Sequence, residues 1–288
     1  MDFDDWLNRA WDEHAQDPAG VAARLGAEGI ALAAADADLA ALARLAHHLF
    51  GEHLGRLDDG RALLQRLATQ PAAGDATRSA ARLLEASLVL TGGGDPRAGL
   101  GASERIRVTG LAAGNLSGRD AARAGVLLRE ALAEAEGAAL ADDDPAVRAL
   151  AVTGNNVAAA LEEQPERSDA ERALMILAAQ TGRAYWARAG SWLEVERAEY
   201  RLSRSCAAAG DAEGARRHAQ ECLRIVTEHG DAPLEAFFGQ EALAWAERAA
   251  GNVTACAAAV AAAAAAFEQI EESDRSWCRP TLDKLHTF

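Results

Sequence analysis

The chain has 288 residues, half of them hydrophobic. That is enough to bury a core and excludes global disorder; the length lies where single cores stop growing, at about 250–300 residues, so one elongated domain or two compact ones are expected. Alanine fills 73 positions and joins Leu, Arg and Glu as strong helix formers, which points to an all-helical chain, while a formal net charge of −15 argues against nucleic acid as a partner, because neutralising phosphates needs a basic face.

The first residues are acidic (Asp2, Asp4, Asp5) and no apolar signal core follows them. Residues 257–267 form the most apolar late stretch, too short and too alanine-rich for a bilayer, which needs about 20 apolar residues. A cytoplasmic protein without membrane contact is the expectation. Cys206, Cys222, Cys256 and Cys278 show no Cys-x-x-Cys spacing, so buried free thiols are expected rather than zinc or dithiol chemistry.

Helical periodicity between short polar breaks predicts helices at 2–15, 18–34, 37–54, 58–70, 75–91, 99–114, 119–139, 145–163, 168–189, 191–209, 212–229, 233–250, 252–272 and 280–286. The breaks carry turn residues such as Asp17-Pro18, Gly74-Asp75, Gly92-Gly93-Gly94, Asp142–Pro145, Gly210-Asp211 and Gly251-Asn252. Short connections between helices imply antiparallel neighbours. Pro280 is expected to open a short terminal helix, with Leu282 and Leu285 on its inner side.

An internal repeat emerges from the glycines. Gly210-Asp211 is followed by Ala215, Ala219, Cys222 and Leu223; Gly251-Asn252, 41 residues on, is followed at identical offsets by Cys256, Val260, Ala263 and Ala264. Gly55 is followed in the same way by Gly60, Leu64 and Leu67. A glycine that closes one helix, with small or apolar residues at fixed later positions, is what a closely packed helix pair requires.

The segments 53–64 (His-Leu-Gly-Arg-Leu-Asp-Asp-Gly-Arg-Ala-Leu-Leu) and 209–219 (Ala-Gly-Asp-Ala-Glu-Gly-Ala-Arg-Arg-His-Ala) resemble the turn and second helix of the tetratricopeptide repeat (TPR) superfamily. The resemblance covers residues 40–70 and 191–266, with generic helical hairpins over 75–165. The period of 41 exceeds the usual 34 or so, and most Phe, Tyr and Pro signature positions are missing. The resemblance implies an all-α, right-handed α-solenoid of stacked antiparallel helix pairs spanning 1–288, divergent over 1–140, clearer over 145–272 and capped by 275–288. It further implies a concave groove lined by the first helix of each pair, which binds a peptide or partner protein.

Helix 191–209 places Val195, Ala198, Leu202 and Cys206 on one face and Arg197, Arg201 and Arg204 almost opposite. In a TPR-like arrangement that arginine face looks into the groove. Like charges four apart destabilise a helix slightly, so acidic neighbours or an anionic ligand are expected there; the alternative is a solvated face paired with Glu194 and residues of adjacent helices. The 41-residue shift carries the stripe onto Phe238, Ala242 and Trp245; an aromatic strip beside a basic one suits a peptide with an acidic and an apolar part, and core packing of both rings is the alternative. Aligning Gly154 with Ser203 brings Arg148, Val152 and Asn155 into register with the arginines. The Gly154-Asn155 step resembles TPR proteins that hold a peptide backbone or C-terminal carboxylate, although their lysines have no counterpart here. Asn155 and Asn156 are thus candidate peptide contacts, with structural hydrogen bonding between helices as the alternative.

Catalytic motifs are missing from the sequence. His47-His48-Leu49-Phe50-Gly51-Glu52-His53 is the densest metal-capable run, and His48 and Glu52 sit four apart so that both reach one ion. His47 and His53 fall at other angles of an α-helix, the His-Glu-x-x-His order is missing, and helix packing is the preferred role. Gly92-Gly93-Gly94 lacks the Lys-Ser/Thr of a phosphate loop, and there is no Gly-x-Ser-x-Gly elbow. Asp142-Asp143-Asp144 reads as helix capping ahead of Pro145, and Glu162-Glu163 as solvated surface. Around Gly190, Trp186 and Trp192 either anchor neighbouring repeats or floor a pocket. The expected function is therefore non-catalytic binding of a protein or peptide, without metal or other cofactor. The alternatives are a ligand-responsive regulatory or sensor domain, a homo-oligomeric assembly module, or a metal-dependent enzyme built on His48 and Glu52.

Overall fold

A computed structural model of the protein describes residues 2–230 and 232–288. Every regular element among the described residues is helical, and none of those helices is long and apolar enough to cross a membrane. The chain divides into two compact units, one running through Ala146 and the other from Val147 to Phe288.

The first unit contains α1 (Phe3–Glu13), α2 (Pro18–Arg24), α3 (Ile30–Leu32), α4 (Asp36–His48), α5 (Leu57–Ala68), α6 (Asp75–Thr91), α7 (Ala102–Leu116) and α8 (Ala121–Gly137). Two helices expected to be continuous, 18–34 and 37–54, each contain a π-helical turn: π1 (Leu25–Gly29) and π2 (Leu49–His53). In π2 the Leu54 amide donates to the Leu49 carbonyl, five residues back, at 2.8 Å. The wider turn rotates the residues after it relative to an α-helix. Leu42, Leu45, Leu49, Leu64, Leu67 and Leu88 are fully buried in the core that these helices share, each stabilising the fold by about 1.5–3 kcal/mol.

The second unit holds α9 (Pro145–Glu162) from Val147 onward, α10 (Asp169–Ala189), α11 (Trp192–Ala209), α12 (Ala212–His229), α13 (Pro233–Ala249), α14 (Val253–Phe267) and α15 (Glu272–Leu285). From α10 to α14 each helix packs on the next, and α11 also packs on α13. The 41-residue correspondence recurs bond for bond. After α11, the Gly210 amide donates to the Ala207 carbonyl and the Asp211 amide to the Cys206 carbonyl; after α13, Gly251 donates to Arg248 and Asn252 to Glu247. This paired pattern is the Schellman ending, which needs a left-handed residue, and Gly210 and Gly251 take it with φ of +84° and +69°. Asp211 and Asn252 then cap α12 and α14 by accepting from the Gly214 and Ala255 amides. Between α9 and α10, Gly154 and Gly182 touch backbone to backbone: a Cβ on Gly154 would lie 2.4 Å from the Gly182 nitrogen. Asp144 caps α9 through the Ala146 amide at 2.8 Å, as expected.

The terminal helix corrects one expectation. It begins at Glu272, and Pro280 lies inside it rather than at its start. Tertiary burial overrides the proline: Cys278, Leu282 and Leu285 pack into a core with Phe237, Phe267 and Ile270, which offsets the roughly 3 kcal/mol cost of an interior proline. All four cysteines are free and buried.

Candidate functional site

The arginine stripe of α11 lies between α9 and α13, and each arginine meets a glutamate from one of them. Arg197 Nη2 donates to Glu235 Oε1 at 2.7 Å, and Arg201 Nη1 to Glu162 Oε2 at 2.5 Å. Arg204 Nη1 lies 3.5 Å from Glu241 Oε1. The glutamate side chains are nearly buried, Glu162 at 7% exposure and Glu241 at 5%. Glu162 is thus not the solvated surface residue suggested by its sequence. Burial pushes its carboxyl up, and Arg201, with a hydrogen bond from Ser205, pulls it back only in part. The acidic neighbours that the like-charged stripe called for are these three side chains.

Beside this ladder lies a cavity of about 570 Å³, within the range of ligand pockets. Arg197, Arg201, Glu194, Glu196 and Glu235 contribute its charged wall, Asn155 a polar edge, and Trp186, Tyr200, Phe238 and Trp277 its aromatic wall. Trp277 is 53% exposed and stacks on Phe238 with ring centroids 5.3 Å apart and planes 19° apart. Tyr200 meets Phe238 edge-on, with ring centroids 5.7 Å apart. Arg201 spends Nη1 on Glu162, while its Nε has no hydrogen-bond partner among the described residues.

Of the residues singled out in the sequence, Asn155, Arg197, Arg201 and Phe238 line this cavity together. Arg148 lies over the Trp186 ring at 5.1 Å. Asn156 is exposed and accepts from Asn155 Nδ2 at 3.2 Å. Arg204 and Trp245 form a separate cluster: the guanidinium sits 4.4 Å from the indole centroid, which Lys284 and Phe288 also approach. Trp186 lines the pocket, whereas Trp192 stacks on His229 at 4.5 Å and anchors α11 to α12. Sequence reasoning missed Glu196, Tyr200, Leu234, Glu235 and Trp277. Glu196 sits next to Arg197 on a helix whose two faces are both covered, and only the spacing of Glu196 and Glu199 against the apolar positions hints at this.

Glu196 is 1% exposed. Burial pushes its carboxyl up to about 7 and nearby Glu235 adds to the shift, against a hydrogen bond from Cys222 and the charge of Arg197. Cys222 Sγ donates to Glu196 Oε1 at 2.7 Å, and burial raises its own thiol well above the ordinary value. A thiol held protonated is a poor nucleophile. A second cavity of about 420 Å³ is lined by α14, Leu285 and Phe288, with Arg248, His286 and Cys256 as its charged or titratable lining side chains among the described residues. It offers far less to orient a polar ligand. Comparisons with protein-family models, with curated proteins and with solved structures find no match to this chain.

Proposed function

We propose that the chain is a non-catalytic, TPR-like binding protein. In this reading the second unit stacks α9/α10, α11/α12 and α13/α14 as right-handed solenoid repeats, and the cavity beside α11 holds a peptide segment of a cytoplasmic partner protein. The repeated Schellman endings 41 residues apart support the repeat. The observation that carries binding is the juxtaposition of Arg197 and Arg201 with the half-exposed Trp277–Phe238 stack in one cavity. The Arg197 side chain is 58% exposed and has guanidinium donors left after its bond to Glu235, so it can address a carboxylate. The stacked rings take an apolar or aromatic side chain, and Asn155 offers donor and acceptor to an extended backbone. Glu194, Glu196 and Glu235 in the same wall disfavour a run of acidic residues. The occupant is a peptide with a single carboxylate close to one aromatic or aliphatic side chain.

The test is fluorescence anisotropy with labelled hexapeptides that carry one Phe or Leu beside a free C-terminal carboxylate. Saturable binding that weakens about tenfold or more in Trp277→Ala and Arg197→Glu, and is retained in the exposed α12 control Arg217→Glu, is expected. Equal binding by all three variants would reject the cavity. Because Trp277 is exposed, its truncation separates lost contact from lost folding.

A further inference from the structure

Three imidazoles gather in the first unit, outside everything assigned above. His14 ends α1, His48 ends α4 and His53 ends π2. One potential ligand atom from each lies within 4.8 Å of the others. Ring centroids are 4.9 Å apart for His14–His48, 5.2 Å for His14–His53 and 4.7 Å for His48–His53. On an uninterrupted α-helix residues 48 and 53 point apart, since five residues advance by about 500°. The π turn removes that offset and sets His53 Nε2 3.1 Å from His48 Nε2. The sequence-based exclusion of His53 from this cluster is thereby corrected.

The outer partners fix which nitrogens carry protons. His48 Nδ1 lies 3.1 Å from Glu52 Oε2, and His14 Nδ1 is bonded to the Trp11 carbonyl oxygen. A carboxylate and a carbonyl only accept, so both Nδ1 atoms carry the proton and both Nε2 atoms of the neutral rings are bare. In that state the His48–His53 contact needs its one proton on His53 Nε2, and Nε2 is the His14 nitrogen that has a lone pair to offer a shared ion. Converging lone pairs with too few protons repel one another, and a shared cation relieves them. The 3.1 Å separation is close to the roughly 3.3 Å between two imidazole nitrogens of a tetrahedral zinc site with bonds of about 2.0–2.1 Å. Glu52 holds its histidine as outer-shell carboxylates hold metal-bound imidazoles. It is not the second ligand that the four-residue spacing suggested.

We propose that His14, His48 and His53 form a three-imidazole site for a divalent first-row transition metal of the zinc, cobalt or nickel type, with Glu52 as a positioning residue and the remaining coordination position open to water. Three neutral nitrogen donors select such ions over magnesium and calcium, which take oxygen. The site ties the end of α1 to π2, so metal also fastens the first helix to the unit.

The experiment uses the full-length chain, stripped with chelator and titrated with Co²⁺ and Zn²⁺. Expected are one equivalent of bound metal, visible Co²⁺ absorption of low-coordinate intensity, and a higher unfolding temperature with Zn²⁺. His53→Ala, an exposed position, should abolish the spectrum and the thermal shift. Glu52→Gln should keep the spectrum and weaken affinity by about 10–100-fold. His286→Ala, distant in sequence, should bind as the unaltered chain does. Failure to bind either ion at one equivalent would overturn the proposal. Binding that persists in His53→Ala would overturn it equally.

Discussion

Glu196 and His47 are both buried ionisable groups, and their protons pull stability in different directions along the pH scale. Glu196 titrates near 7 when folded, against an ordinary value of 4.5. Between those values the folded chain holds a proton that the unfolded chain has released, so this group's contribution to stability falls as pH rises through the window. Glu196→Gln keeps an acceptor for Cys222 and removes the charge. Urea unfolding at pH 8.5 should show the variant more stable by about 2 kcal/mol, an effect that shrinks toward pH 4.5; a variant no more stable at pH 8.5 would contradict the assignment. His47 behaves oppositely. It is fully enclosed beside Ser87 and Asn115, and burial lowers it from 6.5 to about 4. The unfolded chain therefore takes the proton first, and stability present above pH 6.5 is lost as pH falls toward 4. His47→Gln should flatten the pH dependence of the urea midpoint over that interval, and an unchanged slope would count against it. Gly210 poses a purely conformational question. A Cβ there would meet nothing within 4 Å, so Gly210→Ala should cost only the left-handed backbone penalty of about 1–2 kcal/mol, with Gly210→Asn costing less.

At the scale of single elements, α11 shows why ion pairs escape a sequence reading. The wheel put Val195, Ala198, Leu202 and Cys206 on the packed face; the last three are buried and Val195 is half-buried, whereas Arg197, Arg201 and Arg204 lie on the other side. It could not show that Glu162, 39 residues earlier, would be the partner of Arg201. Truncating Arg201 should strand Glu162 in a dry setting. Arg201→Ala is expected to lose about 3 kcal/mol, and Glu162→Gln in the same chain should recover much of that loss; additive losses in the double variant would refute the pairing. Helices α10, α11, α12 and α14 were readable at their starts because capping residues punctuate them: Ser168, Ser191, Asp211 and Asn252 each accept from an amide of the first turn. The π turns were not readable. Their i+5 bonds leave no mark in a 3.6-residue pattern, and only Gly51 in mid-helix followed by the left-handed Gly55 hints that the register changes before His53. Pro280 misled for the converse reason, since a strong local signal lost to the burial of Cys278 and Leu282 on either side of it.

For the molecule as a whole, length left one elongated domain or two compact ones open, and the chain forms two compact units with a boundary just after the Asp142–Pro145 break. The candidate binding residues of α9, α11 and α13 all belong to the second unit, and part of the candidate set converges because the 41-residue offset carries Arg197 onto Phe238. The same offset places Trp245 opposite Arg204, outside the cavity, so the stripe divides into two clusters. The six tryptophans provide separate reporters: Trp6 and Trp11 in the first unit, Trp192 and Trp245 in the second but outside the cavity, and Trp186 and Trp277 in its wall. The decisive measurement is therefore the indole NMR spectrum of the ¹⁵N-labelled chain during titration with the aromatic, carboxylate-terminated hexapeptide. The account predicts saturable shifts of the Trp186 and Trp277 indole signals while those of Trp6 and Trp11 stay fixed. Binding that moves other indoles and leaves these two in place would contradict it.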